Sequence, residues 1–184
     1  LEARAAFEQF WEDGNQTCFL ADDDFYRNPN KMDILQMFAD LAREGKKFAL
    51  MIQSDLAVTK GHKNDREIDN EFMDACRDAG VVMVFCGTES FDFDVLQAMH
   101  KTQNTRGGRE AFIGDMKNQR ISWNERGIAV SATCIIGHEL DRKGVGKRSA
   151  ENALEIGFDL VVPFILGVLP GSKDSFVLGQ DPDR

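Results

Sequence analysis

Gly80-Val81-Val82-Met83-Val84-Phe85-Cys86-Gly87-Thr88-Glu89-Ser90 is the stretch on which the fold is read. The five residues after Gly80 are all apolar. A strand with one wet face would alternate, so the run reads as a parallel strand covered on both faces. Upstream, Ile68, Phe72, Ala75, Cys76 and Ala79 recur at helical spacing and form an amphipathic stripe. Gly80 closes that stripe, and glycine just past a helix end takes the left-handed conformation at little cost. Downstream, Gly87-Thr88-Glu89-Ser90 is small and polar, the composition of a strand's carboxyl end turning into a loop.

The same helix–glycine–strand unit occurs five times. Gly14 precedes Thr17 to Ala21, Gly45 precedes Phe48 to Ile52, and Gly127 precedes Ile128-Ala129-Val130, which runs on to Ile135-Ile136. Gly157 precedes Leu160 to Leu166. Ile34, Leu35, Phe38, Leu41 and Ala42 mark one helix, and Val95, Leu96 and Met99 another. Asn30, Asn64 and Asp92 are suited to cap helices. Between residues 107 and 126 the pattern is less regular: Phe112, Met116 and Trp123 share a face, but Gly114 interrupts it. A last helix covers about 147 to 156. Helices alternating with parallel strands define an α/β layer or barrel. Five units fill 184 residues, whereas a complete eight-unit barrel takes about 250. The expectation is one domain over 1–184, either a partial or incomplete barrel or an open doubly wound sheet.

Composition narrows the function. The chain has 22 Lys+Arg against 31 Asp+Glu, a net charge of −9, which disfavours broad binding to nucleic acid or anionic lipid. No apolar run approaches the roughly 18 residues of a membrane span. Cys18, Cys76, Cys86 and Cys134 follow neither a disulfide nor a zinc spacing; reduced thiols in a cytoplasm are the expectation. No dinucleotide fingerprint, P-loop or nucleophile elbow is present.

In either architecture ligands bind at the carboxyl ends of the strands. Those ends read Asp22-Asp23-Asp24, then Gln53-Ser54-Asp55, Gly87-Thr88-Glu89-Ser90, Gly137-His138-Glu139 and Gly167-Val168-Leu169-Pro170-Gly171-Ser172. Carboxylates and small polar groups gather at one rim, which suits an ammonium or hydroxyls better than a bare phosphate. A metal is also compatible with it. Asp22 also reads as a cap or loop residue, Glu89 as a cap for the helix near Asp92, and Ser54 as a turn residue. His138 and Tyr26 are rim candidates only, His138 reading first as a loop histidine, and His62 and His100 have no partner in sequence.

The rim residues resemble a known family. Phe19-Leu20-Ala21-Asp22-Asp23-Asp24-Phe25 is similar to the Asp-Asp-Asn-Phe that ends the second strand in radical S-adenosylmethionine (SAM) enzymes of the branch that often carries a cobalamin-binding domain before its barrel. Phe85-Cys86-Gly87-Thr88-Glu89-Ser90 resembles that branch's Gly-Ile-Glu-Ser. Leu96-Gln97-Ala98-Met99-His100-Lys101-Thr102-Gln103-Asn104 resembles Leu-x-x-Met-x-Lys-x-Gln-Asn. Gly127 to Val130, with Ile135-Ile136-Gly137, resembles the fifth strand, and Leu169-Pro170-Gly171-Ser172 the Pro-Gly-Thr after the sixth. Each motif is weak alone; five in order across nearly the whole chain are specific.

The resemblance implies a partial (β/α)6 TIM-type barrel with its first strand missing and five parallel strands present. It implies truncation at the N-terminus, and the end at Gln180 to Arg184 suggests the same at the C-terminus. The family's CxxxCxxC loop, whose thiolates hold a 4Fe-4S cluster, follows strand one and is expected upstream of Leu1. Asp22, Asp23 and Asp24 stand where the family holds the SAM amino group, with Asp24 in place of the usual Asn. Glu89 matches the residue that takes the ribose hydroxyls. Gln53 and Ser54 lie where the methionine part finds polar contacts. Ile135 to Gly137 and Leu166 to Val168 stand where adenine is contacted. The family's GxIxGxxE is partly kept: Thr133 replaces the first Gly, Leu140 replaces the Glu, and Glu139 lies one position away. The implied chemistry is reductive SAM cleavage to a 5′-deoxyadenosyl radical, or cobalamin-supported methyl transfer. It would act on a small-molecule substrate with a reductant such as flavodoxin or ferredoxin, and without nucleic acid or membrane. Two other readings stay open, a metal-dependent TIM-barrel lyase using the Asp rim and a non-catalytic barrel remnant.

Overall fold

A computed structural model describes residues 2–59, 67–101, 105, 107–138 and 141–166. Helix α1 (Glu2–Glu12) leads to strand β1 (Thr17–Leu20), a 3-10 turn over Phe25–Arg27, and helix α2 (Lys31–Arg43). Then come β2 (Ala49–Ser54), α3 (Asn70–Ala79), β3 (Val81–Glu89) and α4 (Phe93–Ala98). The described chain ends with α5 (Phe112–Asn124), β4 (Ala129–Ile136), α6 (Val145–Ile156) and β5 (Leu160–Ile165).

All five strands are parallel and follow chain order, β1-β2-β3-β4-β5. The sheet is not closed: β1 and β5 each have one neighbour among the described strands. The five-strand α/β layer expected from the glycine-punctuated repeats is therefore present. No described helix is long and apolar enough to cross a membrane.

Caps follow local chemistry. Asp92 accepts from Asp94 N and Val95 N, as its position before α4 requires. Asn30 stands at the N-cap of α2 but makes no side-chain cap bond. Asn64 lies outside the described residues; α3 is capped by Asp69, which accepts from Phe72 N. Gly80 is needed twice over: its φ is 91°, and an added Cβ would come 2.4 Å from the Phe48 carbonyl oxygen.

The two faces of the sheet differ. Register and alternation place Leu50, Ile52, Val84, Cys86, Val130 and Ala132 on the outer, helix-covered face. All six are buried, in one cluster with Leu35, Phe38, Leu41, Phe72 and Trp123. Phe48 anchors it at the amino ends of the strands, edge-on to Phe38 at 5.6 Å and Trp11 at 5.2 Å. The inner face carries Phe19, Met51, Met83 and Ala129 in one row, and Gln53, Phe85, Ser131 and Leu160 in the next. Phe19 and Leu160, at its two edges, are 45% and 48% exposed. The inner face is thus partly exposed, most at its two edges, while Ser131 in its middle is buried.

Candidate functional site

The ladder between β3 and β4 slips between Cys86 and Glu89. A bulge bends a strand and unpairs backbone groups. Two threonines repair it: the Thr133 hydroxyl donates to the Cys86 carbonyl (3.3 Å), and the Thr88 hydroxyl donates to the Thr133 carbonyl. Both threonines are buried, so each bond replaces one the ladder has lost. Thr133, where the resembled motif has Gly, thereby has a structural task.

Beyond the slip Glu89 takes φ 63°, in the left-handed region that a side chain adopts at a cost. The turn swings its carboxylate back over Gly87: a Cβ on Gly87 would lie 2.9 Å from Glu89 Oε1. Glu89 Oε1 accepts from Lys101 Nζ at 3.2 Å, with both side chains about a quarter exposed. Oε2 has no partner among the described residues. The loop after Glu89 is tied down from behind, because Asn152 on α6 donates to the Phe91 carbonyl (2.8 Å).

The Asp rim is divided. Asp22 accepts from Asn28 Nδ2 (2.6 Å) and from the Asp24 N–H (3.2 Å), so it shapes the turn after β1. Asp24 accepts from Arg27 Nε (2.6 Å), Ser54 Oγ (3.4 Å) and the Asp55 N–H (3.5 Å), which ties β1 to β2. Asp23 is exposed and has no partner among the described residues. Ser54 is buried on the outer side, on Asp24, while its neighbour Gln53 is on the inner face. Tyr26 does not serve the rim: its hydroxyl lies within hydrogen-bond distance of two acceptors that share its one proton, the Thr59 carbonyl (2.9 Å) and Asp69 (3.0 Å), and its ring packs on Phe72 with Lys31 over it. Burial, then Asp69, pushes its phenol pKa up.

Across the sheet, Gly137 has φ 110°, and its Cβ position is 3.4 Å from Leu166 Cβ. Leu166 N donates to the Ile136 carbonyl (2.7 Å), so the ends of β4 and β5 stay together. Ile135 faces inward beside Phe164, its β5 partner. Asp141 accepts from the Gly137 and His138 N–H groups (2.7 and 3.0 Å), fixing this turn. Sequence reading gave Asp141 no role, although an acidic residue four places after a strand-end glycine is a loop-closing signal. Lys101 was legible only as part of a motif. Glu139, Leu140, Val168, Leu169 to Ser172 and His62 lie outside the described residues.

The described acidic, His and Cys residues include no group of three placed to hold a metal ion. All four cysteines are free, and three are buried. Burial pushes the thiols of Cys76, Cys86 and Cys134 up, so they stay protonated and apolar.

An open parallel half-barrel with alternating helices is the fold of the radical SAM enzymes. Solved structures with this fold include TsrM from Kitasatospora setae, a radical SAM methyltransferase with cobalamin and a 4Fe-4S cluster bound. It superposes with a TM-score of 0.64 at 14% identity, over 86% of this chain and 29% of its own. The cobalamin-dependent SAM radical enzyme OxsB gives 0.60 at 14% identity, over 84% and 21%. The coproporphyrinogen III oxidase HemN of Escherichia coli, a radical SAM enzyme, gives 0.52 at 20% identity, over 77% and 30%. The chain therefore spans less than a third of the length of these three proteins. No family model and no curated protein matches the sequence.

Proposed function

We propose that this chain is the core of a radical SAM enzyme whose concave face and rim hold S-adenosylmethionine. The observation that carries the reading is Glu89. A bulge, a left-handed backbone and a glycine with no Cβ together set one carboxylate over the inner face, at the position the sequence resemblance gives to the ribose contact. A carboxylate with an uncommitted oxygen matches a vicinal diol, which donates hydrogen bonds. Asp23, with no partner among the described residues, takes the ammonium; Asp22 and Asp24 build its loop, and Ser54 acts by holding Asp24. Gln53 lies on the inner face for the methionine part. Ile135, the Gly137 turn and Leu166, extended by Val168, take adenine. When bound, SAM supplies radical or methyl-transfer chemistry; the residues named here bind it, orient it and exclude water from one side of it.

The described residues do not fit a 4Fe-4S cluster, since its thiolates would have to come from cysteines that are scattered and mostly buried. The cluster ligands and the first strand, which would cover the free edge of β1, are proposed to belong to a longer protein. Cobalamin, a small-molecule substrate, a flavodoxin- or ferredoxin-type reductant and a cytoplasmic setting are proposed for that whole protein. The supporting likeness is to cobalamin-binding TsrM and OxsB.

The test is Glu89→Gln in the complete protein, with S-adenosylhomocysteine binding followed by calorimetry. Losing a charge-assisted bond to a hydroxyl weakens binding by about tenfold or more. Unchanged affinity in a folded variant sinks the assignment of Glu89.

A further inference from the structure

Two non-glycine residues among those described hold positive φ: Glu89 at 63° and His100 at 58°. They bracket α4, one before its cap and the other just past its end. His100 stands where glycine usually ends a helix. Its N–H donates to the Gln97 carbonyl (3.1 Å), and the Lys101 N–H reaches back to the Leu96 carbonyl (2.9 Å). This is the paired closure of a Schellman turn, which reverses the chain at the helix end. The reversal delivers Lys101 to Glu89, where Nζ meets Oε1 at 3.2 Å. Two costly backbone conformations thus bring one ion pair together on the inner face, over Gly87. Strain of this kind persists only where surrounding structure enforces it, and it clusters at functional sites.

We propose that Lys101 is a positioning residue for Glu89. It fixes Oε1 and leaves Oε2 to accept from the hydroxyls of a bound nucleoside. A free glutamate side chain has several rotamers to lose on binding; one already held by an ammonium has fewer, so part of the ordering cost is met before the ligand arrives. The inference rests on the assignment of Glu89 to the ribose and adds to it the group that orients the carboxylate.

The experiment uses the complete protein and two probes, S-adenosylhomocysteine and its 2′-deoxy form, with four chains: wild type, Lys101→Gln, Lys101→Arg and Glu89→Gln. Wild type prefers the ribose probe. Lys101→Gln is expected to bind it about tenfold more weakly and to lose most of that preference, while Lys101→Arg restores both. In a Glu89→Gln background, Lys101→Gln is expected to have no further effect, because the two residues act as one unit. Lys101→Gln keeping the ribose preference overturns the proposal, whether both probes weaken equally or neither weakens; equal weakening signals a merely structural lysine. If Lys101→Gln does not fold, Lys101→Arg decides, since its failure to support the ribose preference also overturns the proposal. Should Glu89→Gln bind both probes like wild type, the ribose assignment itself fails, separately from the role of Lys101.

Discussion

The two faces of the sheet are made of the same five strands and follow opposite rules. Outward, Leu50, Ile52, Val84, Cys86, Val130 and Ala132 are fully covered by helices and aromatic rings. Inward, Phe19, Leu160 and Phe164 are about half exposed and Gln53 and Glu89 partly so, while Ser131 and Thr133 are buried. The outer face stabilises the fold by taking apolar area from water. The inner face contributes less and in return is accessible. The difference teaches where substitutions are felt: outside as stability, inside as binding.

The largest effect is expected at Trp123, which is fully buried and edge-on to Phe72 at 6.2 Å. Trp123→Ala removes a core aromatic and leaves a cavity, at a cost of about 3–5 kcal/mol. Phe19→Ala removes a ring of similar kind from the inner face. Because Phe19 is 45% exposed, it is expected to cost less than about 1 kcal/mol. Urea unfolding of both variants checks the contrast; equal losses would mean the inner face is also a core.

Next come two glycines at opposite ends of β3. Gly80→Ala forces a side chain into φ 91° and against the Phe48 carbonyl, which cannot move without shifting a strand. A cost of roughly 2–3 kcal/mol follows from the backbone strain and the clash together. Gly87→Ala meets only the far end of the Glu89 side chain, which can swing away. Stability should then change by less than about 1 kcal/mol, while affinity for S-adenosylhomocysteine falls as for Glu89→Gln. A Gly87→Ala protein that binds normally would show that the carboxylate is not needed over the inner face.

The outer face was legible in the sequence and the inner face only in part. Continuous apolar runs and Gly80, Gly127 and Gly157 closing helices are local signals, and the strands they announce are present. Which of two neighbours faces inward is not local. Gln53 and Ser54 are adjacent and polar, yet one lies on the inner face and the other is buried on Asp24. The three aspartates read alike, but Asn28 and Arg27, met only through the folded turn, separate them. Lys101 is twelve residues from Glu89, and only the reversal at His100 joins them. Asn64, a capping residue read from the sequence, lies outside the described residues, and the cap found on α3 is Asp69, whose side chain accepts from Phe72 N.

The last effect appears only in alkali and tests how dry the outer face is. Cys76 and Cys86 are buried there. Burial pushes both thiols up, helped by Asp69 at Cys76 and by Asp55 and Asp24 at Cys86. In the unfolded chain a thiol loses its proton near its ordinary pKa of about 8.5. The folded protein keeps both protons at that pH. Above it the unfolded state therefore binds fewer protons than the folded state, and stability falls as pH rises. It is fully present below the unfolded pKa and lost progressively until the folded pKa is reached. Each thiol adds a slope of up to about 1.4 kcal/mol per pH unit. Urea midpoints measured from pH 7 to 10.5 are expected to hold steady and then decline, and Cys86→Ala to flatten the decline. If Cys86→Ala leaves the slope unchanged, water reaches the carboxyl end of β3 from the helix side, and the outer face is closed only beneath it.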